Sequence, residues 1–280
     1  MSTFHVPDTL DEALELLADL DDTMVYGGGT AIQILLKQGL LFTEHFIDID
    51  RVPGLRDVVV DERGVTVGPL VSLRRMETDS HIGTIAPLIA KTYAEVANPR
   101  VRNTATVAGN IAHGDSRLDP PTALVVLDST VTLASVRGRR EVSMREFFVD
   151  FQITDVEPDE LITSIHIPRQ PKGAGDCFTK FSSLAENDWP CASVAALAVP
   201  GDLIELRLGL GAIAPTTRYL ALDFDPGTSE QEIVDGAIDI ANTAIDPIED
   251  IRGSASYKAQ LGRVAVEESV RAALKELTSV

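Results

Sequence analysis

Tyr26-Gly27-Gly28-Gly29-Thr30 is the stretch that decides how this chain is read. Residues 24–26 are apolar and read as a short strand, and residues 31–38 read as a helix that Gly39 stops. Three glycines at a strand–helix turn let the backbone approach a ligand closely, and their N–H groups can point at phosphate oxygens. Thr30 adds a hydroxyl and is expected to cap the helix. The loop lacks the GxGxxG spacing, an acidic residue at the ribose distance, and a Gly-Lys-Ser/Thr ending. It therefore indicates neither a Rossmann dinucleotide loop nor a nucleoside triphosphate loop. Taken alone, such a turn is as readily structural as functional.

Moving outward, Asp8 is placed to cap a helix in which Leu10, Ala13, Leu14 and Leu17 share one face. A further strand over 46–49 makes the first 50 residues alternate helix, strand, helix, strand. From Leu55 the texture changes. Residues 58–60 and 65–67 read as a hairpin around Asp61-Glu62-Arg63-Gly64. Ser72 caps a short helix, and a longer one over 85–96 is ended by Asn98-Pro99. Residues 98–122, rich in Gly, Asn, Asp and Pro, read as one long irregular segment, and such loops inside compact domains are usually functional. A helix over 122–127 and strands over 131–134 and 161–167 follow. The best linker lies over 168–175. Beyond it come strands over 178–182, 193–199 and 203–210, the last two joined by Pro200-Gly201-Asp202, and then helices near 229–242 and 255–277.

The second segment with chemical potential is residues 103–121, NTATVAGNIAHGDSRLDPP. Thr106, the Ala108-Gly109 backbone and Asn110 offer donors, and Asp115 and Asp119 can accept from hydroxyls. The plain alternative is a solvated loop whose Asp and Asn residues make local turns. His113-Gly114-Asp115 supplies one histidine with scattered carboxylates, which does not make a metal site.

Composition sets the frame. With 280 residues and 44% apolar content the chain can bury a substantial core. Its net charge of −19 argues against nucleic acid and anionic lipid as partners. Two cysteines, Cys177 and Cys191, suit neither an iron–sulfur cluster nor a zinc site and read as reduced thiols of a cytoplasmic protein. The first residues carry Asp and Glu where a signal peptide would be apolar, and no run reaches the length of a membrane span. No Ser-His-Asp or paired-carboxylate arrangement stands out.

Together the two segments are more specific than either alone. Gly27-Gly28-Gly29-Thr30 and Thr106-Val107-Ala108-Gly109-Asn110 resemble the paired pyrophosphate-binding motifs of the FAD subunits of the molybdenum hydroxylases. This family includes the medium subunit of aerobic carbon monoxide dehydrogenase and the flavin domain of xanthine dehydrogenase. Val101-Arg102-Asn103 and Asp119-Pro120-Pro121 are similar to the family as well. So are Phe178-Thr179-Lys180 and Asn187-Asp188-Trp189, with Phe178 where the family often has Tyr and Pro190 where it often has Ala. The resemblance implies an α+β fold: a two-subdomain FAD-binding domain of the PCMH or vanillyl-alcohol-oxidase type over 1–172 (subdomains about 1–54 and 55–172). A small α+β C-terminal domain of the carbon monoxide dehydrogenase flavoprotein type would occupy 173–280. It also implies roles. Val25, Tyr26, Gly27, Gly28, Gly29, Thr30, Ala31 and Ile32 would wrap one side of the FAD pyrophosphate, and Thr106, Ala108, Gly109 and Asn110 the other. Asp119 would bond a hydroxyl of the FAD chain. Ile162 would pack on the isoalloxazine, with Lys180 near its polar edge, where a cation favours the anionic reduced ring.

The implied partners are a large molybdopterin subunit and a small subunit with [2Fe–2S] clusters, in a dimer of heterotrimers. The FAD would accept electrons from the clusters and pass them to NAD⁺, a quinone or oxygen. The alternatives are a stand-alone flavin oxidoreductase of the same fold and a non-catalytic assembly subunit. An extra Cys-rich insert, found in relatives acting on aromatic thioesters, is absent here. The glycine turn yields the first expected outcome: Gly28→Val gives colourless protein, checked by the flavin absorbance of the purified variant. Stoichiometric FAD in a folded Gly28→Val chain contradicts the assignment.

Overall fold

The computed structural model describes residues 2–185 and 187–277. Three parallel strands open it: β1 (Thr3–His5), β2 (Thr23–Tyr26) and β3 (His45–Asp48), in the order β1-β3-β2. Helix α1 (Leu10–Asp19) buries Ala13, Leu14 and Leu17 against this sheet. Its cap is Thr9, whose hydroxyl accepts from the Glu12 N–H; Asp8, expected there, instead donates its N–H to the Glu12 carboxylate. Helix α2 (Thr30–Gln38) starts one residue earlier than expected. Its cap is Gly29 at φ 68°, so Thr30 is the first helical residue rather than the cap. Gly39 ends it in the left-handed conformation, as the sequence indicates.

Five antiparallel strands follow: β4 (Val58–Val60), β5 (Gly64–Val67), β6 (Thr130–Ser135), β7 (Gly138–Ser143) and, later in the chain, β10 (Leu161–Pro168). Their order is β4-β5-β10-β6-β7. Between β5 and β6 lie six helices: α3 (Leu73–Thr78), α4 (Ser80–Ile85), α5 (Pro87–Ala94), α6 (Pro99–Thr104), α7 (Val107–Ala112) and α8 (Pro120–Val126). They share one apolar core with the sheet, including Val67, Leu88, Ile111, Leu124 and Ile165. After β7 come α9 (Met144–Phe147) and a small hairpin, β8 (Phe148–Asp150) with β9 (Ile153–Thr154).

Two expectations fail in this region. The helix read over 85–96 is broken at Ala86, and α5 begins at Pro87, since proline favours the first turn of a helix over its interior. The irregular segment over 98–122 is mostly helical. Asn98 does not end a helix; its side chain accepts from the Arg100 and Val101 N–H groups and starts α6, with Pro99 in the first turn. Thr106 caps α7 in the same way. The Asn, Thr and Pro that look like loop residues are start signals for three short helices.

A third sheet runs β11 (Gly175–Phe181), β12 (Ala192–Val199), β13 (Ile204–Gly211) and β14 (Arg218–Phe224), each antiparallel to the next. Helices α10 (Glu230–Asn242) and α11 (Ala255–Glu276) pack on one face through Ile233, Val234, Val266 and Val270. Helix α8, every residue of which is buried, lies against β12 and β13. The observed class is the expected α+β arrangement, with one parallel sheet, the remaining sheets of the described residues antiparallel, and segregated helices. No helix of the described residues is long and apolar enough to cross a membrane.

The first sheet meets the second unit at one tight point. A Cβ on Gly28 would lie 2.1 Å from the Thr104 carbonyl oxygen and 3.1 Å from the Ala105 Cα. Gly28 is thus required by the chain's own backbone and not only by a ligand. Gly28→Ala forces that backbone apart and is expected to cost roughly 1–3 kcal/mol even without cofactor. Urea denaturation of the cofactor-free protein checks this. Equal midpoints for wild type and variant contradict the packing.

Candidate cofactor site

Where the glycine turn meets the α6–α7 joint, the chain forms a solvent-open cleft of about 110 Å³. Its walls include Val25, Gly27, Thr106, Ala108, Gly109 and Ile162, six of the residues expected from sequence. Others had no motif to mark them: Ile49, Pro69, Leu70, Ala112, Val156, Glu160 and Leu161. These come from four separate segments, at the ends of β3 and β5, the last residue of α7 and the approach to β10, and apart from Glu160 their only sequence signal is apolar character or a proline next to a turn.

Gly28, Gly29, Thr30, Ala31, Ile32 and Asn110, also expected from sequence, adjoin the lining residues Gly27 and Gly109 in the chain but do not themselves line the cleft, and the two sides differ in what they offer. Gly29 has no side chain to cap α2, and the backbone N–H groups of Gly28, Gly29, Thr30, Ala31 and Ile32 meet no acceptor among the described residues. A helix start with free donors and a partial positive charge suits an anion. Ala108 and Gly109, expected from sequence as free donors, are engaged instead. Val107 N–H donates to the Val71 carbonyl, Ala108 N–H to that of Pro69, and Gly109 N–H to the Thr106 hydroxyl at 3.2 Å. What this wall presents is side chains. Asn110 Oδ1 is buried with no hydrogen-bond partner. A buried acceptor left without a donor costs on the order of 1–3 kcal/mol, so it calls for one.

Tyr26 and Val25 point opposite ways, as neighbours on a strand do. Val25 lines the cleft, whereas the Tyr26 ring stands edge-on to Phe4 and Phe46, and its hydroxyl accepts from Gln33 Nε2 at 3.2 Å. The same ring occupies the space a Cβ on Gly29 would need, 2.2 Å from the hydroxyl oxygen. Opposite, Glu160 is buried at the cleft and receives two hydrogen bonds from Arg140, both at 2.7 Å. These bonds hold the Glu160 carboxyl below its ordinary pKa despite burial. Arg140 in turn lines a larger open cavity of about 1100 Å³, with Thr132, Arg139 and Thr163, that holds none of the motif residues.

Asp119 and Lys180 do not line the cleft. They find each other: Lys180 Nζ donates to Asp119 Oδ2 at 2.7 Å and to the Glu95 carbonyl at 2.9 Å, and both side chains are buried. The lysine of a strand that sequence alone would leave in solvent is 6% exposed. Asp119 Oδ1 remains buried and unpartnered. Burial pushes the Asp119 carboxyl up to about 6, with Lys180 opposing that rise. Among the described residues no group of three or more His, Cys, Asp or Glu side chains is placed to hold a metal ion. Both cysteines are free thiols.

These features fit an extended dinucleotide such as FAD. Free donors stand at a helix start, two buried acceptors await hydroxyl or amide donors, and an apolar wall ends at Ile162. The raised Asp119 pKa has a sign that can be tested. Between about pH 4 and 6 the cofactor-free folded chain keeps a proton that the unfolded chain releases, so folding stability falls as pH rises through this window. Relative to Asp119→Asn, wild type is expected to lose roughly 3 kcal/mol across it. Denaturation midpoints measured from pH 4 to 7 check the difference; a flat or rising difference contradicts it.

Comparison with known proteins agrees with this geometry. The model of the family described as FAD binding domain in molybdopterin dehydrogenase matches residues 1–170. The chain is 30% identical over 278 residues to the 6-hydroxypseudooxynicotine dehydrogenase complex subunit alpha of Paenarthrobacter nicotinovorans, covering 97% of this chain and 94% of that one. It is also 30% identical over 280 residues to the carbon monoxide dehydrogenase medium chain of Hydrogenophaga pseudoflava, covering 96% of each. Among solved structures it matches the carbon monoxide dehydrogenase of that organism lacking the Mo-pyranopterin moiety, with a TM-score of 0.92 at 28% identity over 99% of this chain and 98% of that one. The chain therefore belongs to the FAD-binding family of the molybdopterin dehydrogenases, as an oxidoreductase component whose cofactor is FAD.

Proposed function

We propose that this chain is the medium subunit of a molybdenum hydroxylase. In this reading it takes electrons from a small [2Fe–2S] subunit and passes them to NAD⁺, a quinone or oxygen. A large molybdopterin subunit oxidises the substrate, and the assembly is a cytoplasmic dimer of heterotrimers. Residues 1–172 carry the cofactor, as subdomains over 1–54 and 55–172, and residues 173–280 complete the subunit. The observation that supports the reading is an asymmetry around the cleft, with free N–H groups in the turn that follows Gly27 on one side and unpartnered buried acceptors on the other.

Within this reading the N–H groups of Gly28 to Ile32 bind the pyrophosphate, while Val25, Tyr26 and Gly27 shape that wall. Thr106, Ala108, Gly109 and Asn110 close the opposite side, where the Asn110 carbonyl accepts a donor from the cofactor. Asp119 Oδ1 accepts from a hydroxyl of the FAD chain while Oδ2 stays on Lys180, and Ile162 excludes water from the ring face. Lys180 stands near the polar edge of the ring, where a cation stabilises negative charge. Bound FAD supplies the redox chemistry, which the side chains of the site cannot.

Two relatives at the same 30% identity are named for different substrates, carbon monoxide and 6-hydroxypseudooxynicotine. That supports a division of labour in which this chain does not select the substrate. The test is reconstitution. The FAD-loaded chain alone is expected to show no substrate-dependent bleaching of its flavin, and addition of the large and small subunits to bring it about. Rapid bleaching by a substrate with this chain alone contradicts the subunit reading and favours a stand-alone flavoenzyme. Folded protein that takes up no FAD favours an assembly subunit.

A further inference from the structure

We propose that Arg140 is a positioning residue for the cofactor: it neutralises Glu160, the carboxylate that lines the cleft, and braces the loop that forms the cleft's far wall. This rests on the reading above in which the pyrophosphate of FAD lies at this cleft.

Among the described residues, Glu160 is the only charged one that lines the cleft. Its side chain is 4% exposed, so water does little to support its charge. Left alone there, a carboxylate opposes a negatively charged pyrophosphate through a medium that screens poorly. Arg140 cancels that charge with two parallel bonds: Nε donates to Glu160 Oε1 and Nη2 to Oε2, each at 2.7 Å. The arginine end of the pair is wetter. Its side chain is 38% exposed and lines the open cavity beside Arg139, Thr132 and Thr163. The partners are therefore unequal. Arg140 can stand as a lone hydrated charge, whereas Glu160 without Arg140 is a buried and unpaired one.

The same guanidinium holds the wall in place. Its Nη1 donates to the Asp155 carboxylate and its Nη2 to the Asp155 carbonyl, on the residue before Val156. Arg137, in the turn between β6 and β7, holds the rest of the loop through Glu157 and Asp159. Glu157 N–H donates to Glu160 Oε2 at 2.9 Å and Glu160 N–H to the Glu157 carbonyl at 3.0 Å, which closes the turn. Val156, Leu161 and Ile162 line the cleft on either side of this turn and are carried by it. The segment Asp155-Val156-Glu157-Pro158-Asp159-Glu160 thus brings four carboxylates to two arginines of one hairpin. Asp155, Glu157 and Asp159 keep contact with solvent; only Glu160 reaches the cleft.

The test titrates FAD with the full cofactor-free chain and follows flavin fluorescence. Arg140→Gln is expected to bind FAD about 100-fold more weakly than wild type at pH 8. The gap narrows to about tenfold at pH 5, because Glu160, buried without its cation, takes up a proton over this range. Comparison with wild type at each pH removes the contribution of Asp119, which both chains share. The double variant Arg140→Gln/Glu160→Gln deletes both charges and is expected to bind within about tenfold of wild type at either pH, the remaining loss being that of the brace. It leaves no charge buried alone, so it carries the test even if the single variant does not fold. Wild-type affinity in folded Arg140→Gln overturns the proposal, as does a gap that stays constant from pH 8 to pH 5. A double variant about 100-fold weaker than wild type overturns it too, since the charge of Glu160 is then not what Arg140 offsets. Failure of the underlying reading shows in wild type instead: FAD bound without protection of the Gly28 to Ile32 amides from hydrogen exchange places the cofactor elsewhere and removes this proposal with it. Protection there, with any of the other contrary outcomes, removes this inference alone.

Discussion

The close approach of Gly28 to the Thr104 carbonyl is the constraint on which the site depends. Two pieces of chain nearly 80 positions apart meet there without room for a methyl group. One ends a parallel sheet and the other joins two short helices. The same approach keeps the cleft narrow, because a Cβ on Gly27 would lie 3.3 Å from the Thr106 hydroxyl oxygen across it. It also explains why the glycines cluster. Gly28 yields to protein backbone, Gly29 adopts φ 68° beside Tyr26, and the helix that follows begins without a cap. A capping side chain there would satisfy the donors that an anion is to meet. The opposite helix is built the other way, with Thr106 capping α7 and the Val71 and Pro69 carbonyls closing its remaining donors. One wall is left electrically open and the other is finished.

The buried pair of Lys180 and Asp119 binds the third sheet to this arrangement. Lys180 lies on β11, Asp119 at the start of α8, and the Glu95 carbonyl at the end of α5. Burying both charges costs several kcal/mol that their attraction offsets only with good geometry, and removing one partner strands the other. The pair is therefore a poor source of stability but a firm register mark between sheet and helices. Its imperfect balance shows in the raised Asp119 pKa and in the unpartnered Oδ1. The rise comes from burial that Lys180 only partly offsets, and Oδ1 keeps an unused acceptor.

Much of this was legible in sequence for definite reasons. The β2–turn–α2 unit is announced by glycines between apolar runs, and the Val58–Val67 hairpin by its Asp-Gly turn. Strand β12, ASVAALAV, is a near-continuous apolar run, and β13, IELRLGLG, alternates aliphatic residues with charged residues or glycine, on either side of Pro200-Gly201-Asp202. The segment over 98–122 misled because Asn, Thr and Pro serve equally in turns and at helix starts, and helices of six or seven residues show too little periodicity to tell them apart. Strand β7, GRREVS, is a charged edge strand without apolar alternation, and it was not visible at all. In the site, the glycine and Thr-x-x-Gly segments carry their own signal, whereas Leu70, Val156 and Glu160 reach the cleft only through the fold. The pairing of Lys180 with Asp119 spans 61 positions and leaves no local trace.

The proposed cofactor site has one asymmetry: the open start of α2 lies across from a helix whose donors are already engaged. Amide hydrogen–deuterium exchange of the chain with and without FAD measures this directly. The predicted result is strong protection of Gly28 to Ile32 on adding FAD, with the amides of Val107 to Asn110 little changed because they are hydrogen-bonded beforehand. Unchanged exchange at Gly28 to Ile32 in a stoichiometric FAD complex would contradict it.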